Sequence, residues 1–258
     1  MPAEIETKLV ILGDESEAIF EEIASYDVIG KYKILHGKTK MLQDTYFDTP
    51  AKALSGQGIA LRTREQEGSV VICVKKDEHT DEHGTTHRDE TELPWSSKSL
   101  AYILETLPDI PVPAGAIDIQ AGTPRECLEG LGFISIHERQ TRRHTLDVVT
   151  LSEPEKGIIA EIALDKVNYL IKDSRILHYE IEVEAKTPGT VEHIVHLRDF
   201  FRKTYGEKLM PWDHNKLLTG LALEQLYLLG KLSVPPGETL FMSRDSYDAV
   251  NVFLKHYS

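Results

Sequence analysis

Charged and apolar side chains alternate along several stretches of this chain. In Glu4-Ile5-Glu6-Thr7-Lys8-Leu9 the even positions are charged and the odd ones mostly apolar. Ala60-Leu61-Arg62-Thr63-Arg64, Glu161-Ile162-Ala163-Leu164-Asp165 and Tyr179-Glu180-Ile181-Glu182-Val183-Glu184 repeat the pattern. Successive strand side chains point to opposite faces, so each stretch predicts a strand with one charged and one apolar face. Strands are also predicted over 31–47, 70–76, 85–93 and 134–149. That makes about eight, in the range of a small closed antiparallel barrel. Helices are predicted over 14–26, 190–205 and 214–229, the first with apolar residues recurring at Ala18, Ile19, Ile23 and Ala24. Their apolar stripes need a surface, and the apolar strand faces offer one. The expected class is α+β: a closed eight-stranded antiparallel β-barrel, or tunnel, with a charged interior and helices packed outside.

Apolar-out, polar-in strands also describe an outer-membrane barrel. That architecture brings a signal peptide, spans of roughly ten residues with aromatic girdles and few long helices, and none of these is legible here. The chain has 258 residues with 42 acidic against 29 basic side chains, a formal charge of −13. So acidic a chain argues against general nucleic-acid binding, which wants a basic surface. Cys73 and Cys127 are the two cysteines, too few for a disulfide framework. No apolar run approaches the ~18 residues of a membrane helix, and Met1-Pro2-Ala3-Glu4-Ile5-Glu6 does not read as a signal peptide. A reduced cytoplasmic protein, monomer or homodimer, without membrane or nucleic-acid partners, is expected. The proline-rich stretch 107–113 is the best internal linker. Residues 1–230 are expected as one domain, with 231–258 as a loop and a short helix near 247–254.

The charged faces collect acids at Glu4, Glu6, Glu90, Glu92, Glu161, Asp165, Glu180, Glu182 and Glu184, and bases at Lys8, Arg62, Arg64, Lys75 and Arg88. A single Glu-x-Glu is most simply a solvated face with incidental salt bridges. Two of them together with an Arg-x-Arg, all at strand period, are harder to dismiss. Enclosed without partners, each such ion would cost several kcal/mol. Clustered carboxylates suit a hard cation such as Mg²⁺ or Mn²⁺; clustered Arg and Lys suit a polyanion. Both in one cavity would bind a metal–phosphate complex.

An ordered series of motifs then resembles the CYTH superfamily, the triphosphate tunnel metalloenzymes. It comprises Glu4-x-Glu6-x-Lys8, Tyr46-Phe47-Asp48-Thr49-Pro50, Leu61-Arg62-Thr63-Arg64, Val74-Lys75, Arg88-x-Glu90, Leu164-Asp165, Glu180-x-Glu182 and Asn215-Lys216. The resemblance implies metal ligands at Glu4, Glu6, Asp165, Glu180 and Glu182, with Glu184 as the next position on the same face. It implies phosphate-binding bases at Lys8, Arg62, Arg64, Lys75, Arg88 and Lys216. On the sixth strand Arg139, Arg142 and Arg143 compete for one basic position, and the alignment favours Arg142. Catalytic roles fall to Glu4, Glu6, Lys8 and Lys216. The expected reaction is Mg²⁺- or Mn²⁺-dependent hydrolysis of a short inorganic polyphosphate, most simply tripolyphosphate to pyrophosphate and phosphate. Thiamine triphosphatase, class IV adenylate cyclase and a non-catalytic polyphosphate- or nucleotide-binding module are the alternatives.

Three features look functional and are read otherwise. Gly37-Lys38-Thr39 mimics the end of a P-loop, but Tyr32 stands where the first glycine is required. His79, His83 and His87 recur every fourth residue in a segment whose Gly84 and Thr85-Thr86 suit a hairpin better than a helical metal site. Trp95 and Trp212 are expected to pack.

Overall fold

The predicted alternation does become strands. The computed structural model describes residues 4–82, 84–107, 122–171 and 173–257; His83 and the linker residues 108–113 lie outside them. In chain order the elements are β1 (Glu4–Ile11), α1 (Ser16–Ala24), β2 (Val28–Ile29), β3 (Tyr32–Asp48), β4 (Ala60–Gln66), β5 (Ser69–Thr80) and β6 (Thr86–Pro94). There follow α2 (Ser97–Thr106), α3 (Pro124–Gly130), β7 (Ile134–Thr150), β8 (Ala160–Ile171) and β9 (Ser174–Ala185). The chain continues with α4 (Val191–Tyr205), β10 (Leu209–Pro211), α5 (Lys216–Leu228), β11 (Thr239–Phe241) and α6 (Arg244–Tyr257). Eight strands form a ring in the order β1-β6-β5-β4-β3-β7-β8-β9, closed by the β1–β9 pairing. The α+β barrel class is therefore as expected. Among the described residues no helix is long and apolar enough to cross a membrane.

The chain divides into two compact units. The first holds Met41–His79 and Arg88–Gln140. In it β4 pairs antiparallel with β3 and β5, setting Tyr46 opposite Arg62 and Arg62 opposite Cys73. Phe47, Leu61, Ile72 and Val74 turn to the other face and form a core with Leu100, Ile103 and Leu104 of α2 and Leu128 of α3. Neither helix was predicted. Both carry clear start signals, a Ser96 cap accepting from Ser99 N at 3.0 Å and a Thr123–Glu126 capping box. They are short, and for short helices packing decides more than propensity. Trp95 packs against this core.

The second unit holds Glu4–Lys40, Thr80–His87 and Thr141–Ser258. Here β9 lies between β1 and β8, antiparallel to both. Its two faces carry two different cores. Leu9, Ile11, Ile162, Leu164, Ile181 and Val183 meet Ile19, Phe20 and Ile23 of α1 and Ile194, Leu197 and Phe201 of α4. By strand period Val10, Val167, Tyr169 and Ile176 share the face of Asp165 and Glu180, and they pack against Leu223 and Leu226 of α5 and Tyr247 and Val250 of α6. Hence α1 and α4 cover the apolar face as predicted, whereas α5 and α6 cover one end of the charged face. That end is apolar, which is what draws them there. Residues from 231 on, expected as an extension, share this core through Val234, Met242, Tyr247 and Val250. Trp212 is buried in it too.

Gly37-Lys38-Thr39 lies within β3, with no loop or helix about it. A Cβ at Gly37 would stand 2.7 Å from the Thr145 carbonyl oxygen, so the glycine allows a close backbone approach. His79 ends on β5 and His87 on β6, with His87 Nε2 at 3.0 Å from Asp81 of the connecting turn.

Candidate active site

In the first unit one buried carboxylate gathers three guanidinium groups. Arg64 grips Asp44 with Nε and Nη2 at 2.7 and 3.0 Å, from directly opposite it on β4. Arg139 Nη2 lies 2.7 Å from Asp44 Oδ2, and Arg62 Nη1 3.9 Å from the same oxygen. Burial pushes the Asp44 carboxyl up, but the Arg139, Arg62 and Arg64 cations outweigh burial and hold it well below the usual carboxylate range. Asp44 thus meets three cations, of which Arg62 also lies 3.7 Å from Glu92. Arg62 Nε is buried with no hydrogen-bond partner among the described residues. Arg62 Nη2 and Lys75 Nζ meet Glu90 at 3.3 and 2.7 Å, and Arg88 meets Glu78 at 3.4 Å. Cys73, Glu90 and Glu92 lie close enough to share a cation. However, burial pushes the Cys73 thiol up to about 12, and it donates to Glu90 at 3.0 Å, so it does not offer a thiolate ligand.

The second unit inverts this arrangement. Asp165, Glu180 and Glu182 each offer an oxygen within 4.8 Å of the others. They come together because Asp165 on β8 sits opposite Glu180 on β9, and Glu182 follows on the same face. Lys216 Nζ meets all three: Glu180, Glu182 at 2.6 Å and Asp165 at 3.1 Å. Asn215 accepts from Leu218 N at 3.0 Å and so starts α5, which makes Lys216 its first residue and fixes where the ammonium points. Arg143 adds contacts of 2.5 Å to Asp165 and to Glu182. Burial pushes Asp165 up, but Arg143 and Lys216 hold it below its ordinary value. Burial pulls the Lys216 ammonium down, yet Glu180, Glu182 and Asp165 raise it above the usual lysine range. The donors are all carboxylate oxygens, and the trio already surrounds one positive charge. Such a set could hold a hard divalent cation, for which the ammonium is a monovalent stand-in.

The remaining candidates fall nearby or elsewhere. On β1, Lys8 sits opposite Glu182 and Glu6 opposite Glu184. Lys8 Nζ reaches Glu6 at 3.7 Å and the His214 carbonyl at 3.3 Å. Glu184 pairs with Lys186 at 2.6 Å, and burial raises its carboxyl. Among the described residues the close trio contains neither Glu4, Glu6 nor Glu184.

Arg142, favoured from sequence, points elsewhere. It meets Glu17 and Glu21 of α1 at 3.0 and 2.6 Å and lies 5.0 Å from the centre of the Phe20 ring. The reason is strand period: Arg142 shares a face with Leu146 and Val148, which belong to the α1/α4 core, whereas Arg139 and Arg143 share the other. Sequence reasoning also missed Asp44, whose period-two spacing from Tyr46 was a usable sign, and His178, which shares the face of Glu180.

The CYTH domain family matches residues 2–210 of the chain. Among solved structures, the Hippeastrum protein HpAC1, for which a dominant triphosphatase activity is described, is 20% identical with a TM-score of 0.55, covering 90% of this chain and 98% of its own. A candidate adenylate cyclase of Bacillus halodurans is 24% identical with a TM-score of 0.49, covering 84% and 97%. The PH1819 protein of Pyrococcus horikoshii is 18% identical with a TM-score of 0.46, covering 88% and 99%. Among curated proteins none matches the chain.

Proposed function

Since the chain belongs to the CYTH family, we propose that it hydrolyses triphosphates, most directly tripolyphosphate with water to pyrophosphate and phosphate. The observation that carries this reading is the buried trio Asp165, Glu180 and Glu182 around one ammonium. Three carboxylates gathered in a protein interior are stable only with cations among them. Asp165, Glu180 and Glu182 would hold Mg²⁺ or Mn²⁺, with Glu4, Glu6 and Glu184 on neighbouring strand positions. The bound ion would supply charge neutralisation for the phosphoryl oxygens.

The chain's own bases do the rest. Arg62, Arg64, Arg139, Lys75 and Arg88 bind phosphate oxygens, and the guanidinium forks can take two oxygens each. Lys8 and Arg143 stand beside Glu182 and orient the phosphoryl group near the carboxylates. Lys216, displaced from the trio, neutralises the departing phosphate. In a site of effective dielectric ~20, each such contact at ~4 Å is worth roughly 4 kcal/mol before desolvation. Several together select a triphosphate over a monophosphate.

The test is a panel of tripolyphosphate, ATP and thiamine triphosphate with Mg²⁺ or Mn²⁺. Phosphate and pyrophosphate from tripolyphosphate are expected, and abolished by chelator. Cyclic AMP from ATP, or binding without any product, would replace the hydrolase reading with a cyclase or a binding module.

A further inference from the structure

The part of the chain beyond residue 210 lies outside the CYTH match, yet it reaches Glu180 twice. Lys216 of α5 contacts Oε1 directly. Tyr247 of α6 contacts it through His178: Tyr247 Oη and His178 Nδ1 lie 3.0 Å apart, and His178 Nε2 and Glu180 Oε2 lie 3.0 Å apart. All three side chains are fully buried. Direction follows from the donor inventory. A carboxylate only accepts, so the ring hydrogen sits on Nε2 and points to Glu180. With a single ring hydrogen, Nδ1 is then the acceptor and the Tyr247 hydroxyl the donor.

We propose that Tyr247 and His178 are positioning residues for Glu180, holding its carboxylate so that Oε1 stays turned to a cation shared with Asp165 and Glu182. The inference rests on the metal-site reading above. The terminal torsion of a glutamate is broad and roughly two-fold. Nothing in the chain's own stiffness therefore keeps one oxygen on the cation. His178 removes that freedom by occupying Oε2, and Tyr247 decides which ring nitrogen does so, as outer partners orient metal-ligating side chains elsewhere.

Packing holds the rings apart from the hydrogen bonds. The Tyr247 ring lies 4.9 Å from Trp212 and 5.7 Å from His178, and Tyr169 closes on His178 at 5.9 Å. Tyr247→Phe therefore keeps the packing and deletes one hydroxyl.

The experiment is Mn²⁺ binding to the full chain without any triphosphate, followed by electron paramagnetic resonance and calorimetry. Tyr247→Phe is expected to raise the Mn²⁺ Kd about tenfold, the low end for loss of an outer-sphere partner. His178→Leu raises it at least as much, and the double variant no more than His178→Leu alone, because Tyr247 acts through His178. Tyr205→Phe deletes the Tyr26–Tyr205 hydroxyl contact of 2.8 Å in the same unit and leaves the Kd unchanged. A relay that only satisfies buried polar atoms would lower the melting temperature without moving the Kd. Equal Mn²⁺ affinity in Tyr247→Phe and the wild type overturns the relay and spares the metal site. Should Tyr247→Phe not fold, unchanged affinity in His178→Leu does the same. Additive losses in the double variant overturn the serial order. A wild-type chain that binds no Mn²⁺ overturns the metal-site reading and this inference with it.

Discussion

The arginine cluster of the first unit and the carboxylate trio of the second are built on opposite charge rules. Asp44 is one anion among Arg62, Arg64 and Arg139; Lys216 is one ammonium among Asp165, Glu180 and Glu182. In each the central charge is helped by a flanking one: Glu90 also meets Arg62, and Arg143 also meets Asp165 and Glu182. The central residue differs in origin as well. Asp44 comes from β3, beside the strand that carries two of its arginines, so the cluster is sheet-built. Lys216 comes from the first position of α5, a helix packed against the sheet rather than a strand within it. The first cluster is therefore held within the sheet, and the second draws its central charge from a helix docked on it.

The strongest way to break this comparison is Asp44→Asn. It keeps the shape and strips three guanidiniums of their anion, so stability should fall by about 3–5 kcal/mol. Added tripolyphosphate should recover more melting temperature in the variant than in the wild type, because ligand that binds only the folded state stabilises it. The pH dependence has a definite sign. The folded Asp44 carboxyl titrates well below its ordinary value, so its contribution is fully present above about pH 4 and lost as pH falls toward the folded value. Wild type and variant should converge in urea melts as the pH is lowered below about 4. A gap that stays constant down the acid limb would show that Asp44 is not the ionised centre.

Lys216→Met comes next, at about 3 kcal/mol in the absence of metal, since Arg143 still serves two of the carboxylates. Mn²⁺ should restore the melting temperature of this variant more than that of the wild type. Equal Mn²⁺ effects would mean that ammonium and metal do not compete. Arg62→Ala should weaken tripolyphosphate binding roughly 10- to 100-fold, the usual range for a charge-assisted contact. Mn²⁺ affinity should barely change, and calorimetry that finds both reduced equally would merge the two clusters into one. The smallest effect is expected from Arg142→Ala. Its pairs with Glu17 and Glu21 are partly exposed and worth up to about 1 kcal/mol in a thermal melt. Tripolyphosphate affinity should not move; a clear loss would return Arg142 to the phosphate-binding set.

Much of this was legible beforehand, and the misses share a cause. Period two put Arg62, Arg64, Asp165, Glu180 and Glu182 on charged faces without any fold in hand. Applied to β7 it also separates Arg142 from Arg139 and Arg143, but only once Leu146 and Val148 are known to meet α1 and α4. The helices α2 and α3 escaped because a short segment with a good cap is helical only where something buries its face, and β4 and β5 supply that surface.

The chain's own order of residues determined which side chains share a face, which stretches are strands and that acids and bases would have to be neutralised. Those follow from local geometry, in which the next side chain always points the other way. The tertiary structure alone decided who neutralises whom. Asp44 chose arginines from β4 and β7, and the trio took an ammonium from α5 and, through His178, a tyrosine from α6. Charge pairing depends on distances of a few ångströms between residues far apart in sequence, and those distances are set by register and by which apolar surfaces the helices cover.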